Sequence, residues 1–127
     1  MFKMDEKKPD RLLVTRGDRG SIYVDCFDEY SKTNYVFQPG DKVTFAVVPK
    51  KGYTDGAVLR KDVFVKEETE IVEIPLTSRD TKIDDMIDKY KDYWYNVILN
   101  DDVTFIGSSE KGEKIFRLFP EVGEDNE

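Results

Sequence analysis

A chain of 127 residues with no histidine and a single cysteine, Cys26, excludes most catalytic templates before any motif is sought. Histidine is the usual general base near neutral pH and the commonest metal ligand, so Ser-His-Asp, Cys-His and 2-His-1-carboxylate sites are ruled out, and one thiol cannot build a cysteine-rich zinc site. The net charge of −7, from 27 acids against 20 bases, repels phosphate backbones and argues against nucleic acid as a partner.

Residues 1–10 (MFKMDEKKPD) are charged and aperiodic, and are expected to be a flexible tail. Period-2 alternation begins in a short strand at 11–15. In 20–27, Ile22, Val24 and Cys26 share one face, with Ser21, Tyr23 and Asp25 on the other. A strand at 34–37 stops at Pro39-Gly40-Asp41, where proline sets φ and glycine permits positive φ. The next strand, 42–49, puts Val43, Phe45 and Val47 on one side. After a loop at 52–56, strand 57–66 aligns Leu59, Val63 and Val65, leaving Phe64 opposite. Strand 69–76 places Val72, Ile74 and Leu76 on one face; Pro75 costs it a ladder hydrogen bond and marks an end or an edge. The segment 82–90 carries Ile83, Met86, Ile87 and Tyr90 at helical spacing, and predicts one or two helical turns capped by Ser78 or Asp80. Strand 92–99 aligns Tyr93, Tyr95, Val97 and Leu99. Asn100-Asp101-Asp102 then turns the chain into strand 103–107, and 114–119 is the last strand. Residues 121–127 are expected to be a flexible acidic tail.

About eight short strands with regularly spaced turns indicate an all-β, antiparallel immunoglobulin-like sandwich, occupying residues 11–120 as one domain. At 39% hydrophobic and 13% aromatic residues, the chain can fill a core. The N-terminus lacks the apolar region of a signal peptide, and no run approaches the roughly 18 apolar residues that span a bilayer. Synthesis in the cytoplasm, without a membrane partner, is the expectation. The lone cysteine forms no internal disulfide, which fits a reducing compartment.

Four features carry possible chemistry. Arg16-Gly17-Asp18 spells an integrin-binding tripeptide, but between two strands it reads better as a tight turn in which Gly17 or Gly20 supplies positive φ. Asp80, Asp84, Asp85 and Asp88 crowd together without the spacing or glycine of an EF-hand, and read as a solvated acidic face rather than a calcium site. Of Tyr93-Trp94-Tyr95, strand geometry sends the two tyrosines inward and leaves Trp94 for a surface role, such as stacking on a sugar. Cys26 shares a face with Ile22 and Val24 and reads as a small buried hydrophobe. Carboxylate pairs of the glycosidase kind occur by accident on so acidic a chain. No catalytic, cofactor-binding or metal-binding residue is therefore assigned, no cofactor is expected, and the chain is expected not to be an enzyme.

The run Leu13-Val14-Thr15-Arg16-Gly17-Asp18, then Phe37-Gln38-Pro39-Gly40-Asp41-Lys42-Val43-Thr44-Phe45, resembles a small domain of tail and baseplate proteins of Firmicutes phages and prophages. It is similar in kind to the N-terminal domain of upper baseplate proteins. The matching later pieces are Asp80-Thr81, the strand Tyr93 to Leu99 (with Asn96 where the family has Asp) and Phe116 to Val122. Arg19 stands where the family has a small hydroxyl residue, and 84–92 is longer and more acidic. The resemblance implies a virion structural component that docks other tail or baseplate proteins, or copies of itself, after synthesis in the cytoplasm.

Within that pattern Arg16, Gly17, Asp18, Gly40 and Asp41 are structural turn residues. Arg16 is expected to pair with Asp18, with backbone, or with Asp41 across the sandwich end; an exposed pair of this sort contributes about 0.2–1 kcal/mol. Trp94, Phe116 and Arg117 are the expected interaction surface, with the Pro75 strand and strand 114–119 as edges open to another chain. The competing expectation is a carbohydrate-binding module that recognises host glycans through Trp94 and neighbouring tyrosines.

Overall fold

The computed structural model describes residues 1–8, 10–51, 56–83, 89–106 and 114–121. Among them the chain is all-β, as the alternation predicts, with eleven strands and no helix. In order these are β1 Phe2–Met4, β2 Leu12–Thr15, β3 Gly20–Val24, β4 Phe27–Asp28, β5 Thr33–Asn34, β6 Lys42–Val48, β7 Leu59–Phe64, β8 Val72–Leu76, β9 Lys91–Leu99, β10 Val103–Ile106 and β11 Ile115–Phe119.

Seven strands form one curled sheet, ordered β1-β2-β11-β9-β6-β7, with β10 also pairing β9. The strands β10 and β11 share one edge of β9: β10 takes Val97 to Leu99, and β11 takes Lys91 to Trp94. The other edge of β9 holds β6, in a register that sets Val43 against Leu99, Phe45 against Val97 and Val47 against Tyr95. All six side chains are buried, so the two most regular alternations in the sequence pair with each other. The expectation of a purely antiparallel sheet fails at one place, where β2 runs parallel to β11, from Leu12 beside Phe116 to Thr15 beside Phe119.

Two smaller ribbons complete the fold. Strand β3 pairs antiparallel with β8, and β4 pairs with β5. Val24, Val72, Ile74 and Leu76 of the β3–β8 ribbon belong to the same hydrophobic cluster as Phe45, Tyr95, Val97, Phe116 and Leu118 of the large sheet. The ribbon and the large sheet therefore share one hydrophobic core. Phe37, fully buried, enters it from a bridge in which its N–H donates to the Thr69 carbonyl at 2.7 Å.

Three expectations about segments are corrected. Residues 2–4 do not belong to a flexible tail: they form β1 on β2, pairing Phe2 with Val14 and Met4 with Leu12. The Phe2 ring lies on Gly20, where a Cβ would come within 2.3 Å of it, and burial of that ring outweighs the charged residues that follow it. Glu121 is likewise held rather than loose, by Arg16; residues 122–127 lie outside the described residues. Of the helix expected over 82–90, residues 84–88 lie outside the described residues, and Lys82, Ile83, Lys89 and Tyr90 are not helical. Asp80 does not cap a helix. Its carboxylate accepts the Thr77 N–H at 2.8 Å and the Lys61 ammonium at 2.9 Å, closing a local turn.

Candidate functional site

The Arg16-Gly17-Asp18 turn follows β2, with the Asp18 N–H donating to the Thr15 carbonyl at 3.0 Å. Gly17 has φ of +87°, which L side chains rarely adopt. The turn is locked from a distant segment. The fully buried Thr81 hydroxyl accepts the Gly17 N–H at 2.9 Å, and lies 2.9 Å from the Asp18 carbonyl, to which it donates.

Arg16 is turned inward rather than presented for adhesion, whereas the Asp18 side chain stays 44% exposed. Arg16 donates to Glu121 at 2.5 Å, both side chains being mostly buried, and Asp18 meets the terminal ammonium of Met1. Asp41 is not the partner of Arg16. The Arg16 N–H extends the β2–β11 ladder to the Phe119 carbonyl, which carries Glu121 to Arg16 near the Lys91 end of β9, whereas Asp41 sits at the Leu99 end. A cleft of about 650 Å³ opens here between Arg16, Asp18, Ser78, Lys82 and Glu121, but its charges are turned toward one another.

The second Gly-Asp turn is a separate device. Gly40 has φ of +95°. The Asp41 carboxylate accepts the Gln38 N–H at 2.9 Å, the Tyr35 hydroxyl at 2.8 Å and the Asn100 side-chain amide at 3.1 Å. The Gln38 N–H above all, then Asn100 and Tyr35, hold Asp41 below the usual carboxylate range against the opposing effect of burial. Asn100 and Asp101 both have positive φ, 51° and 67°, which makes the tight hairpin between β9 and β10. Nothing in residue-type spacing announced that this hairpin would meet Asp41.

The expected interaction surface divides. Phe116 is fully buried in the core, because β11 is an interior strand between β2 and β9; neither it nor strand 114–119 offers an edge. The antiparallel register of β11 on β9 sets Arg117 beside Asp92, on the same face of the sheet as Trp94, which is half-buried. Arg117 donates to Asp92 at 2.8 and 3.0 Å, and its guanidinium stands 4.1 Å from the Tyr90 ring centroid. Tyr90 packs on Phe119 at 5.8 Å with the rings inclined at 56°. Tyr93 and Tyr95 are buried, as expected; burial pushes the Tyr95 hydroxyl well above the tyrosine range, and it donates to the Asp10 carbonyl at 2.6 Å.

The open edges lie elsewhere. Strand β7 ends the large sheet, and among the described residues no strand pairs with its outer edge. Strand β8, containing Pro75, pairs among the described residues only with β3. Phe64 of β7 and nearby Ile71 are 62% and 56% exposed, two large apolar side chains beside the same unpaired edge. The signal was present in the sequence, since Phe64 falls opposite Val63 and Val65, but a single outward apolar residue is common on strands. Cys26 is half-buried against the core, and burial, with Asp28 and Asp25 adding to it, pushes its thiol up. Among the described residues no three His, Cys, Asp or Glu side chains gather as a metal would require, and no helix is long and apolar enough to cross a membrane.

Compared with protein-family models, curated proteins and solved structures, the chain matches none of them.

Proposed function

We propose that this chain is a non-enzymatic docking module of a phage or prophage tail-baseplate, with its two sheets stacked as an immunoglobulin-like sandwich. The observation that carries the reading is the interlock of Arg16-Gly17-Asp18 with Thr81 and Glu121, positions 64 and 105 residues away from their partners. Three elements that the resemblance draws from separate parts of the chain (the first turn, the aspartate-threonine pair and the closing strand) meet at one node. The pattern therefore has a physical reason to occur together: each element completes the hydrogen bonding of another. The core shared by the β3–β8 ribbon and the large sheet supports the stacked arrangement, and the unpaired edge of β7 supports a role in contact with other chains. A glycan platform receives less support, since two of the three tandem aromatics are buried and the Tyr90 and Phe119 rings are inclined rather than coplanar.

The test is genetic and physical. Tail, baseplate or holin genes are expected beside the coding sequence, and the chain is expected in particles purified after prophage induction. Particles that assemble without it, from a locus bearing no such genes, would overturn the reading.

A further inference from the structure

We propose that the seam between β7 and residues 66–73 is a docking groove for an extended, Lys- or Arg-bearing segment of a partner protein, which adds to β7 as a further strand. The proposal deepens the docking reading above and rests on it. Three independent features converge there.

The first is backbone. The Val65 N–H donates to the Asp41 carbonyl at 2.8 Å, continuing the ladder from Val63 opposite Val43. Antiparallel bonding alternates, so the N–H and C=O groups of Asp62 and Phe64 point to the open edge. Charge is the usual protection of such an edge. Arg60, Lys61 and Asp62 supply it as far as the middle of β7, and Val63 and Phe64 at its end carry no charge.

The second is shape. A groove of about 450 Å³ runs along Val63, Val65, Thr69, Ile71 and Val72, a size that accepts a few side chains. A strand added to β7 would send alternate side chains into this groove and the others past Phe64.

The third is charge. Glu67 and Glu68 rim the groove against a single cation, Lys66, and Glu73 borders it with a carboxylate that accepts the Ser21 hydroxyl at 2.7 Å. In a chain of net charge −7, a second copy docked about a two-fold axis would set the same acids against each other. A cationic segment relieves that repulsion.

The probes are three labelled octapeptides: one alternating Lys and Val, one alternating Glu and Val, and one with the lysines and valines in separate blocks. Binding is read by fluorescence anisotropy and by amide chemical shifts of the full chain. The alternating basic peptide is expected to bind, to weaken with salt, and to shift the Asp62 and Phe64 amides. Reversing two rim charges, Glu67→Lys with Glu68→Lys, is expected to weaken it about tenfold with thermal unfolding unchanged. Phe64→Pro removes an outward N–H and is expected to abolish binding; should that variant fail to fold, the charge reversal alone decides. Equal binding of the block peptide, equal binding of the acidic peptide, or shifts confined to another surface would each overturn the proposal. So would β7 shifts produced by raising the protein concentration alone, which would assign the groove to a second copy. Peptides that fail here, with the chain present in purified particles, sink the groove and leave the docking module standing. Binding by a chain missing from particles does the reverse.

Discussion

The Asn100 side chain joins two turns 59 positions apart: its amide donates to the Asp41 carboxylate at 3.1 Å, and its carbonyl accepts the Lys42 N–H at 2.8 Å. Its own backbone N–H donates to the Lys42 carbonyl, also at 2.8 Å. The positive φ that the hairpin imposes on Asn100 is what aims the side chain at Asp41. Asparagine suits both demands, because it tolerates the left-handed region and carries a donor and an acceptor.

Replacement of Asn100 by Ala is expected to cost about 1–2 kcal/mol, from backbone strain together with hydrogen bonds partly replaced by water. Asn100→Gly, which relieves the strain but not the lost bonds, should fall between Ala and the wild type in a urea titration. An alanine variant as stable as wild type would mean that the two turns are not coupled.

Acid sensitivity follows from the same carboxylate. Asp41 is held below its ordinary value of 3.8, chiefly by the Gln38 N–H. Asp80 is also lowered: burial opposes its charge most strongly, but the Thr77 N–H and Lys61 outweigh it. A carboxylate whose folded pKa is depressed binds protons more readily when unfolded. Its contribution is thus fully present above the ordinary value and is lost as pH falls from there through the folded value. Thermal unfolding should therefore be flat from neutral pH down to about pH 5 and fall steeply below about pH 4. In Asp41→Asn the starting stability should be lower and the acid slope shallower. An unchanged slope in that variant would locate the acid-sensitive group elsewhere.

Core substitutions separate the two faces of the sheet. Leu99, buried against Val43 on β6, should lose about 2–5 kcal/mol on change to Ala. A stability loss of less than about 1 kcal/mol in a denaturant titration would place Leu99 on the wrong face. Phe116→Asp should abolish folding outright, since it buries an unpaired charge between β2 and β9. Dissociation of an otherwise folded oligomer by that variant would contradict an interior β11.

Most of the strands were legible because the physical signal was local. Alternation in 42–49 and 92–99 is enough to find β6 and β9 and to predict which residues face the core. The misreadings arose where a distant residue decided the outcome. Phe2 looks like part of a charged tail until Gly20 provides a surface for its ring. Asp80 reads as the cap of a helix over 82–90, yet its carboxylate is engaged by Lys61 on β7. Strand 114–119 resembles an edge because Lys114 and Arg117 are charged; Lys114 pairs with Asp10 and Arg117 with Asp92, so neither charge reports an open edge. The partner of Arg16 was misassigned for the same reason, since only the parallel pairing of β2 with β11 brings Glu121 within reach.

The two Gly-Asp turns resemble each other in sequence and differ in surroundings, which yields a final prediction. Both Gly17 and Gly40 have positive φ, so alanine is strained at either. A Cβ at Gly40 meets nothing within 4 Å, whereas at Gly17 it would come within 3.2 Å of Glu121 Oε1 and 3.3 Å of Lys82 Cε. Gly40→Ala should therefore lose only the backbone term, about 1 kcal/mol. Gly17→Ala should lose more, because the added methyl also presses on the carboxylate that Arg16 holds. Thr81→Val should weaken the same node independently by about 1–3 kcal/mol, leaving the Gly17 N–H and Asp18 carbonyl without their buried partner. The Gly17 and Thr81 changes share that partner, so their double mutant should lose less than the sum of the two, while Gly40→Ala combined with Thr81→Val should be additive. Equal losses at the two glycines, or full additivity of Gly17→Ala with Thr81→Val in urea titrations, would show that the Arg16-Gly17-Asp18 turn stands apart from Thr81 and Glu121.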